Sequence, residues 1–390
     1  MTLRGNLLVG QGGGPTAVIN ASLLAIVEEA RQHGEVQRIL GAHFGLEGLL
    51  RGEVIDLGGI DPQQMRAVGR SPSAALGTCR LRLAPGDEER ALDVLAARDV
   101  RFFLYIGGND SADTAHRLQV AADRRCYELR CLGVPKTTDN DLAHMDHTPG
   151  YGSIARYVAM AAQDLAFDAA AIMTTDQVML LEVMGRNAGW VAAASALARS
   201  RAGDAPHVIL VPERPAPAAD VVRRVCAAIQ QHGHAVVVLA ETVRDEHEQP
   251  WAQRTGDDGF GHARLSGAAE RIADVLREKL GLKIRICRPG SLQRSAAWCV
   301  SSIDWQEAYL VGQVAVSNAV AGARDVMVTL LRQSSASYAC TTGFVPLADV
   351  AHAERRLPPE FLNEDSEVTD AFLAYARPLI GEPLPAYARL

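Results

Sequence analysis

Short runs of apolar residues alternate along the chain with longer segments in which apolar residues recur every three or four positions. The short runs are typical of strands buried in a parallel sheet, and the recurring pattern is typical of helices that cover its faces. Together they predict two α/β halves with a cleft between them. Strands are predicted at residues 7–9, 38–42, 102–106, 127–134, 178–183, 208–211, 235–240, 283–287 and 326–331. Helices are predicted before Gly34, at 89–97, from about 112, at 151–167, after 190, at 268–280 and at about 306–321.

Two segments lack both patterns. Residues 244–262 are polar and contain glycines, so they are predicted to form an exposed loop. The segment after residue 345 contains proline pairs, and it is predicted to form an irregular C-terminal extension packed over the body.

Three of the predicted strands end in glycine-rich or polar loops, at residues 10–15, 107–111 and 136–141. Because ligands bind at the carboxyl edge of open α/β sheets, these loops are predicted to meet at one site. A glycine turn that opens a helix can bind phosphate through backbone N–H groups. Residues 10–15 nevertheless match neither the dinucleotide fingerprint nor the P-loop, and alone they are equally consistent with a structural turn.

The third loop, K-T-T-D-N-D at residues 136–141, concentrates one lysine, two aspartates and three further polar side chains in six positions. Like charges this close repel one another, so the cluster is costly to fold. One interpretation is a solvated surface turn. The other is a site where a carboxylate accepts a proton while a lysine and a metal ion bind phosphate oxygens. The position of the loop at the predicted sheet edge favours the second.

Composition excludes several classes of protein. The chain has 390 residues, enough for two domains, and 48% of them are hydrophobic, as in a globular protein. Its formal net charge of -7 argues against nucleic acid as a partner. Seven scattered cysteines without a C-x-x-C motif indicate reduced thiols in a cytoplasmic protein. Glycines interrupt the uncharged N-terminal region, so neither a signal peptide nor a membrane span is predicted.

Taken together, the motifs resemble the phosphofructokinase family, and specifically its pyrophosphate-dependent branch. They follow the family's order over most of the chain: G-G-G-P-T-A-V-I-N (12–20), G-G-N-D-S (107–111), P-K-T-T-D-N-D (135–141), M-G-R-N-A-G-W (184–190), Glu241 and G-S-L-Q-R-S (290–295). The resemblance implies two Rossmann-like, three-layer α/β domains with the active site in the cleft between them. It also implies a discontinuous layout. Residues 1–150 and about 293–345 would form the phosphoryl-donor domain, and 151–292 and about 346–390 the sugar-phosphate domain.

The implied reaction is Mg²⁺-dependent, reversible phosphoryl transfer from pyrophosphate to the 1-hydroxyl of fructose 6-phosphate. Asp139 resembles the general base that accepts the hydroxyl proton, an effect worth roughly 10²–10⁴-fold in rate. Thr137, with Thr138 beside it, should hold sugar or phosphate oxygens. Gly13 and its neighbours should approach the phosphoryl donor.

The remaining motifs resemble the sugar-phosphate wall of the family. Met184, Gly185 and Arg186 would form this wall, with Arg186 also neutralising the transferring phosphoryl group. Glu241 should accept hydrogen bonds from sugar hydroxyls. The 6-phosphate would be bound by the guanidinium groups of Arg294 and Arg285, together with Ser291 and Gln293.

Two positions imply the choice of donor. ATP-using relatives have glycine where this chain has Asp110 and Lys136. A carboxylate at 110 would lie near the ATP α-phosphate. Two unit charges about 4 Å apart at an effective dielectric constant near 20 repel by about 4 kcal/mol, on the order of a thousandfold in binding. Lys136 adds a cation that can bind the donor in place of the interactions that a nucleotide would make.

Other positions depart from the family pattern. Asn109 stands where many relatives have a metal-associated aspartate, and its amide oxygen can face Mg²⁺ directly or through water. Gly12 replaces a common serine, and Ser291 replaces a bulkier residue. Gln177 replaces an arginine that, in ATP-using relatives, reaches a neighbouring subunit. Substrate contacts between subunits in the family imply a homodimer or homotetramer.

Three alternatives stay open. The chain could be an ATP-dependent sugar-phosphate kinase, a catalytically weak regulatory or binding subunit, or a lipid or nicotinamide-nucleotide kinase. A metal site at His144 and His147 is the less favoured interpretation, because no third ligand has matching spacing. Trp190 is predicted to be a core residue. Arg288 could equally be a phosphate ligand or a solvated charge.

Overall fold

The computed structural model describes residues 3–388, with the exception of residues 258, 260, 262, 335, 336 and 366. Its strands are β1 (Gly5–Gln11), β2 (Val36–Ala42), β3 (Val54–Asp56), β4 (Val100–Gly107), β5 (Arg130–Pro135), β6 (Val178–Val183), β7 (Val208–Leu210), β8 (Ala235–Ala240), β9 (Gln253–Asp257), β10 (Ala263–Ser266), β11 (Ile284–Cys287), β12 (Val326–Ser334) and β13 (Ala339–Pro346). Its α-helices are α1 (Ile19–Ala30), α2 (Gly45–Arg51), α3 (Pro62–Val68), α4 (Asp87–Ala97), α5 (Asn109–Arg124), α6 (Tyr151–Ile172), α7 (Trp190–Ala194), α8 (Ala218–His232), α9 (Ala268–Leu280), α10 (Leu292–Ser295), α11 (Ser302–Ala321), α12 (Leu347–Ala351) and α13 (Asp370–Ala376).

Two sheets organise the described part of the chain. The larger has the order β13-β12-β5-β4-β1-β2-β3 and is parallel except for its two edge strands, β13 and β3. The smaller has the order β11-β6-β8-β7 and is wholly parallel. Helices pack on both faces of each sheet, because the central strands are apolar on both sides. The predicted α/β fold with two three-layer halves is confirmed.

The helix α11 lies against α1 on one face of the larger sheet. A Cβ on Gly312 would come within 2.5 Å of the Ser22 carbonyl oxygen, so the close approach of these two helices requires glycine. At its N-terminus α11 carries Asp304, which is buried and faces the start of α6. The helix therefore links the two halves of the molecule beside the cleft.

The loop predicted for residues 244–262 is wrong in part. Residues 253–257 form β9, which pairs with β10 as an antiparallel hairpin, while residues 258, 260 and 262 lie outside the described residues. The β9 side chains are exposed, so the segment has no apolar alternation by which a strand could be predicted.

The C-terminal extension is more regular than predicted. It contains α12 and α13, and Phe372 on α13 is fully buried in a core that also holds Trp190 and Tyr151. Trp190 is confirmed as a core residue, since none of its surface is exposed. None of the described helices is both long and apolar enough to cross a membrane.

Candidate active site

The carboxyl ends of strands from both sheets meet around a cavity of about 390 Å³, a size typical of small-molecule sites. The larger sheet contributes the loops after β1, β4 and β5, and the smaller contributes those after β6 and β8. The lining residues are Gly13, Gly14, Arg80, Gly108, Asn109, Asp110, Ser111, Lys136, Thr137, Thr138, Asp139, Asp141, Met184, Arg186, Glu241, Thr242, Thr255, Leu265 and Arg294.

One side of the cavity carries three cations, Arg80, Lys136 and Arg294, which we call the cation side. They surround the glycine turn after β1. Lys136 Nζ donates a hydrogen bond of 2.7 Å to the Gly14 carbonyl oxygen, and a Cβ on Gly14 would lie 3.1 Å from Arg294 Nη1 and 3.7 Å from Arg80 Nη2. Gly13 has a φ of 73°, a conformation that favours glycine. A side chain in this turn would occupy the space in front of the cations.

The cation side is short of negative charge. Burial, followed by the nearby guanidinium groups of Arg294 and Arg80, lowers the pKa of Lys136 to about 8, against the opposing attraction of Asp139. Burial and the charge of Arg80 also lower the pKa of Arg294. Among the described residues, Arg294 Nε is buried without a hydrogen-bond partner. An anion with several oxygen acceptors, such as a phosphate, would pair with the Lys136 and Arg294 cations and would accept a hydrogen bond from Arg294 Nε.

Three carboxyl groups also line the cavity, those of Asp139, Asp141 and Glu241, which we call the acid wall. Burial, and then the charges of Asp139 and Glu182, raise the pKa of Glu241 to about 7. Burial and the Asp139 charge likewise raise the pKa of Asp141 to about 7. Three carboxyl groups with two such raised pKa values are suited to accepting hydrogen bonds or protons from hydroxyl groups.

Residues 136–141, here called the catalytic loop, are held by hydrogen bonds within the loop and by others from outside it, among them those from the Lys136 and Thr137 N–H groups to the Gly107 and Pro149 carbonyl oxygens. Asn140 adopts a φ of 55°, which asparagine tolerates. Its amide donates to the Tyr375 hydroxyl (2.9 Å) and accepts from the Thr148 N–H (3.1 Å). The Asp139 N–H donates to Thr137 Oγ1 at 3.1 Å. The solvated-turn interpretation is therefore wrong, because the loop is anchored at its backbone and at its asparagine side chain.

Helix α5 begins at Asn109, three residues earlier than predicted, so Asn109 and Asp110 lie in its first turn. An acidic side chain is favourable there because the helix N-terminus carries partial positive charge. Asp110 Oδ1 accepts a hydrogen bond from Arg82 Nη2 at 2.8 Å. Asn109 Oδ1 accepts a hydrogen bond from the Asp110 N–H at 3.0 Å.

The loop after β6 supplies the wall predicted at residues 184–186. Met184 and Arg186 line the cavity. Gly185 has a φ of 139° and does not itself line the cavity, but its N–H donates to the Glu241 carboxylate and its carbonyl oxygen accepts from Thr242 Oγ1 at 2.9 Å. Gln293 is buried outside the cavity, and its Oε1 accepts from the Met184 N–H at 3.1 Å. The structure thus gives Gln293 and Gly185 contacts with the wall rather than with the cavity.

Two predicted phosphate ligands lie elsewhere in the single chain. Arg285 on β11 is exposed and pairs with Asp176 at 2.8 Å, away from the cavity. Ser291 also lies outside the cavity and precedes α10, where its carbonyl oxygen accepts from Ser295 Oγ. Arg285 and Ser291 therefore do not line the cavity together with Arg294 of the same chain. Arg288 is not a solvated charge, since it pairs with Glu182 and Glu270.

Sequence reasoning missed several cavity residues. Arg80 lies in no recognised motif, and the local sequence shows only an alternation of arginine and leucine at residues 80–82. Thr255 and Leu265 come from the β9–β10 hairpin that was predicted as an exposed loop. Asp141 belongs to the catalytic loop and could have been singled out by its sequence position alone.

The histidines near the loop differ from one another. His144 is exposed, whereas His147 is buried between Asp146 and Glu307. Both histidines lie in the segment between β5 and α6, and the partner of His147, Glu307, lies 160 residues further along the chain.

The oxygen-rich residues of the cavity fit a hard cation such as Mg²⁺. Asn109 offers an amide oxygen, and Asp110 and Asp139 offer carboxylates around the same space. Mg²⁺ is usually held by one or two such groups together with substrate phosphates. The cation side would bind the rest of a phosphorylated ligand.

Comparisons with known proteins agree with this geometry. The family profile described as Phosphofructokinase matches residues 6–319. The pyrophosphate--fructose 6-phosphate 1-phosphotransferase of Xanthomonas campestris pv. campestris (strain B100) is 42% identical over 392 residues, covering 98% of this chain and 93% of the relative. The solved pyrophosphate-dependent phosphofructokinases of Nitrosospira multiformis and Marinobacter aquaeolei superpose with TM-scores of 0.90 and 0.89 at 36% and 34% identity. They cover 99% and 98% of this chain, and 94% of each relative is covered. The resemblance found in the motifs is confirmed, and the chain belongs to the phosphofructokinase family.

Proposed function

We propose that this protein transfers a phosphoryl group from pyrophosphate to the 1-hydroxyl of fructose 6-phosphate, giving fructose 1,6-bisphosphate and phosphate. The observation that carries the choice of donor is the pair Asp110 and Lys136, which line the same cavity as Asp139. Asp110 Oδ1 accepts a hydrogen bond from Arg82 Nη2 at 2.8 Å, which holds the Asp110 carboxylate in place beside the cavity.

The two sides of the cavity divide the work. The cation side binds the phosphoryl groups, and its shortage of negative charge favours an anion carrying several charges. On the acid wall, Asp139 takes the proton of the 1-hydroxyl as its oxygen bonds to phosphorus, while the bond from that phosphorus to the bridging oxygen breaks and phosphate leaves. Arg186 stabilises the charge on the transferring group. Glu241 orients the sugar by accepting hydrogen bonds from its hydroxyls.

Mg²⁺ is the proposed metal ion. It would be held by the pyrophosphate oxygens together with Asn109, and it would neutralise charge that builds up on the transferring phosphoryl group.

Initial rates test the proposal directly. The purified protein is supplied with fructose 6-phosphate, Mg²⁺ and either pyrophosphate or ATP. Turnover with pyrophosphate alone is expected, and turnover in the reverse direction with phosphate and fructose 1,6-bisphosphate is expected as well. Rates with ATP at least equal to those with pyrophosphate would favour an ATP-dependent kinase.

A double variant, Asp110→Gly with Lys136→Gly, should depress pyrophosphate use. Asp113→Gly is the matched control for the new glycine in α5, since Asp113 does not line the cavity. If the double variant used pyrophosphate as well as Asp113→Gly does, the donor assignment would fail. Turnover by the isolated wild-type chain that disappears in Asp139→Ala would exclude a weak regulatory subunit. Turnover with neither donor would instead indicate another sugar phosphate or the need for a partner.

We also propose that the strands divide the chain as the family layout implies, with residues 1–150 and 293–345 binding the donor and 151–292 and 346–390 binding the sugar phosphate. A homodimer or homotetramer is proposed because Arg285 lies outside its own cavity, where it could serve a neighbouring subunit, and because Trp298 is 75% exposed. Light scattering on the purified protein measures the oligomeric state.

A cytoplasmic location is proposed, since all seven cysteines are free.

A further inference from the structure

A buried histidine lies directly behind the catalytic loop, and the mechanism above does not use it. His147 is 1% exposed. Its Nδ1 lies 2.7 Å from Asp146 Oδ2, and its Nε2 lies 2.6 Å from Glu307 Oε2 on α11. The Tyr338 hydroxyl lies 3.2 Å from the same Nε2 and donates a hydrogen bond to the other Glu307 oxygen. We call these four residues the histidine cluster.

With Asp146 and Glu307 both ionised, the geometry fits a charged imidazole. A neutral imidazole has one N–H and one lone pair, so one of the two carboxylates would face a lone pair at hydrogen-bond distance. An imidazolium donates to both. Burial by itself lowers the pKa of His147, but the hydrogen bonds to Asp146 and Glu307 outweigh it and raise that pKa to about 9.

Charged and titratable groups surround the imidazole on every element that packs against it. Asp146 is also held by Arg332 on β12, with nitrogen–oxygen distances of 3.0–3.2 Å. Burial raises the pKa of Asp146, but the hydrogen bonds from His147 and Arg332 outweigh it, so that pKa is lowered overall. The remaining groups are Asp304 and Glu307 on α11, Tyr338 and Cys340 beside and on β13, and Arg355 and Tyr375 of the C-terminal extension.

A metal ion is the competing interpretation, since ligand atoms of His147, Glu307 and Cys340 lie within 4.8 Å of one another. Two ligands on a tetrahedral zinc ion lie about 3.3 Å apart, given bond lengths of 2.0–2.1 Å. The 2.6 Å between His147 Nε2 and Glu307 Oε2 is shorter and is typical of a charge-assisted hydrogen bond. Burial also raises the pKa of Cys340 to about 12, which disfavours the thiolate that a metal needs. The distances and the Cys340 thiol therefore favour a shared proton over a metal ion in the histidine cluster.

The histidine cluster is connected to the catalytic loop through the residue that follows it. The Thr148 N–H donates to Asn140 Oδ1, and Thr148 Oγ1 donates to the Thr137 carbonyl oxygen at 3.3 Å. In return the Thr137 N–H donates to the Pro149 carbonyl oxygen at 3.2 Å. Asp139 lies between the two anchored residues, Thr137 and Asn140.

We propose that His147 is a positioning residue: held as an imidazolium between Asp146 and Glu307, it fixes residues 146–149, which in turn fix the catalytic loop and its base Asp139. Losing the proton leaves Glu307 a buried carboxylate facing a lone pair, so the segment shifts or loosens. The role in turnover rests on the proposed function, whereas the effect on the loop does not.

The first test compares two asparagine substitutions. In His147→Asn the amide can keep the bond to Asp146 but leaves Glu307 without its charged partner. His144→Asn, three residues away, is the matched control, because His144 is exposed and its φ of 63° suits asparagine. We expect kcat of His147→Asn to fall roughly 10- to 100-fold relative to the control, with a much smaller change in KM. Adding Glu307→Gln to His147→Asn removes the uncompensated carboxylate and should restore part of kcat. A kcat within twofold of the control would overturn the proposal.

The second test uses pH and remains available if His147→Asn does not fold. Glu307→Gln alone takes away one of the contacts that raise the pKa of His147, so the alkaline limb of kcat should move to lower pH by about one unit or more. A limb that does not move would contradict the proposal. Lys136 cannot mimic the result, since its neighbours in charge are Asp139, Arg294, Asp141 and Arg80 and do not include Glu307.

A third measurement separates this proposal from the proposed reaction. Amide hydrogen exchange in the peptide covering residues 137–149 should be faster in His147→Asn than in His144→Asn, whatever the substrate of the enzyme. Unchanged exchange would overturn the positioning role. Faster exchange in a protein that does not use pyrophosphate would support the positioning role of His147 and would show that the proposed function is wrong.

Discussion

At the scale of single residues, Asp139 is the group on which the chemistry depends most. Replacing it with asparagine keeps the shape and removes the proton acceptor. We expect Asp139→Asn to lower kcat roughly 10²–10⁴-fold, with a smaller change in the KM for fructose 6-phosphate. Steady-state kinetics measure both constants. Asp123→Asn is the control, since Asp123 is exposed near the C-terminus of α5. A loss of less than tenfold in Asp139→Asn would move the role of base to another carboxyl of the acid wall.

Lys136 gives the residue-scale prediction for pH. Its pKa is lowered to about 8, so the free enzyme loses this cation as the pH rises through 8. The kcat/KM for pyrophosphate should therefore fall above pH 8. Lys136→Gln should lower kcat/KM at pH 7 by roughly 10- to 100-fold, as expected for a lost charge-assisted hydrogen bond. It should also remove the limb at pH 8 and leave only the fall near pH 9 that is assigned to His147. A limb of equal position in wild type and Lys136→Gln would assign the titration to another group.

Single residues also mark what a sequence can predict. Asp110, Lys136 and Asp139 were predicted because they stand in short motifs that follow predicted strands. Arg80 was missed because it reaches the glycine turn from a segment that contains no recognised motif. The surroundings of His147 were not predicted, because its partner Glu307 lies on another element. Local pattern predicts which residues leave a strand end, but only the fold shows which distant residues meet them.

At the scale of elements, the N-terminus of α6 depends on one buried carboxylate. Asp304 accepts from the N–H groups of Gly150 and Ser153 at 2.8 and 2.9 Å, and from Ser153 Oγ. These donors are otherwise left unpaired at a helix start. Asp304→Asn replaces one acceptor oxygen with a donor, so we expect a loss of about 1–3 kcal/mol in the free energy of unfolding. Asp274→Asn, on an exposed helix position, is the control. Equal thermal midpoints for the two variants would contradict this assignment.

Elements were predicted best where their pattern is strongest. The strands at 178–183 and 235–240 were predicted at their observed bounds, because each is a continuous apolar run buried on both faces. The strand β3 and the β9–β10 hairpin were missed, since neither shows apolar alternation, and yet the hairpin covers the cavity. Such edge elements are held by pairing with neighbours rather than by their own pattern.

At the scale of the whole molecule, the cavity gathers buried charge of both signs. Its cations and carboxyl groups come from both sheets, since Lys136, Asp139 and Asp141 follow β5 while Arg186 and Glu241 follow β6 and β8. Such an arrangement costs stability while no ligand is bound, because buried groups of like charge repel one another. It follows that the active site and the stability of the molecule respond to the same protons.

These buried charges predict how stability depends on pH. The pKa values of Glu241 and Asp141 are raised to about 7, and that of Asp304 to about 6, so the folded state binds protons more tightly than the unfolded state. Their contribution to stability is therefore greatest below about pH 4 and is lost as the pH rises to 7. The pKa of His147 is raised to about 9, so its contribution is complete below about pH 6.5 and is lost through pH 9. All four groups act in the same direction. Lys136 and His207 oppose them, because burial lowers their pKa values to about 8 and about 3, but they are two groups against four. The ligand-free protein should therefore melt at a higher temperature at pH 5.5 than at pH 8.5.

Glu241→Gln tests the largest claim in that argument, that the active site itself is the source of the pH dependence. Glutamine keeps an acceptor for the Gly185 N–H and removes the titrating charge. We expect the variant to be more stable than wild type by about 1–3 kcal/mol at pH 8, to show a weaker fall in melting temperature between pH 5.5 and 8.5, and to bind fructose 6-phosphate more weakly. Glu278→Gln, at an exposed position, should change none of these. A Glu241→Gln protein that melts as wild type does at both pH values would mean that the raised pKa of Glu241 does not limit stability, and that the cavity is paired well enough without ligand.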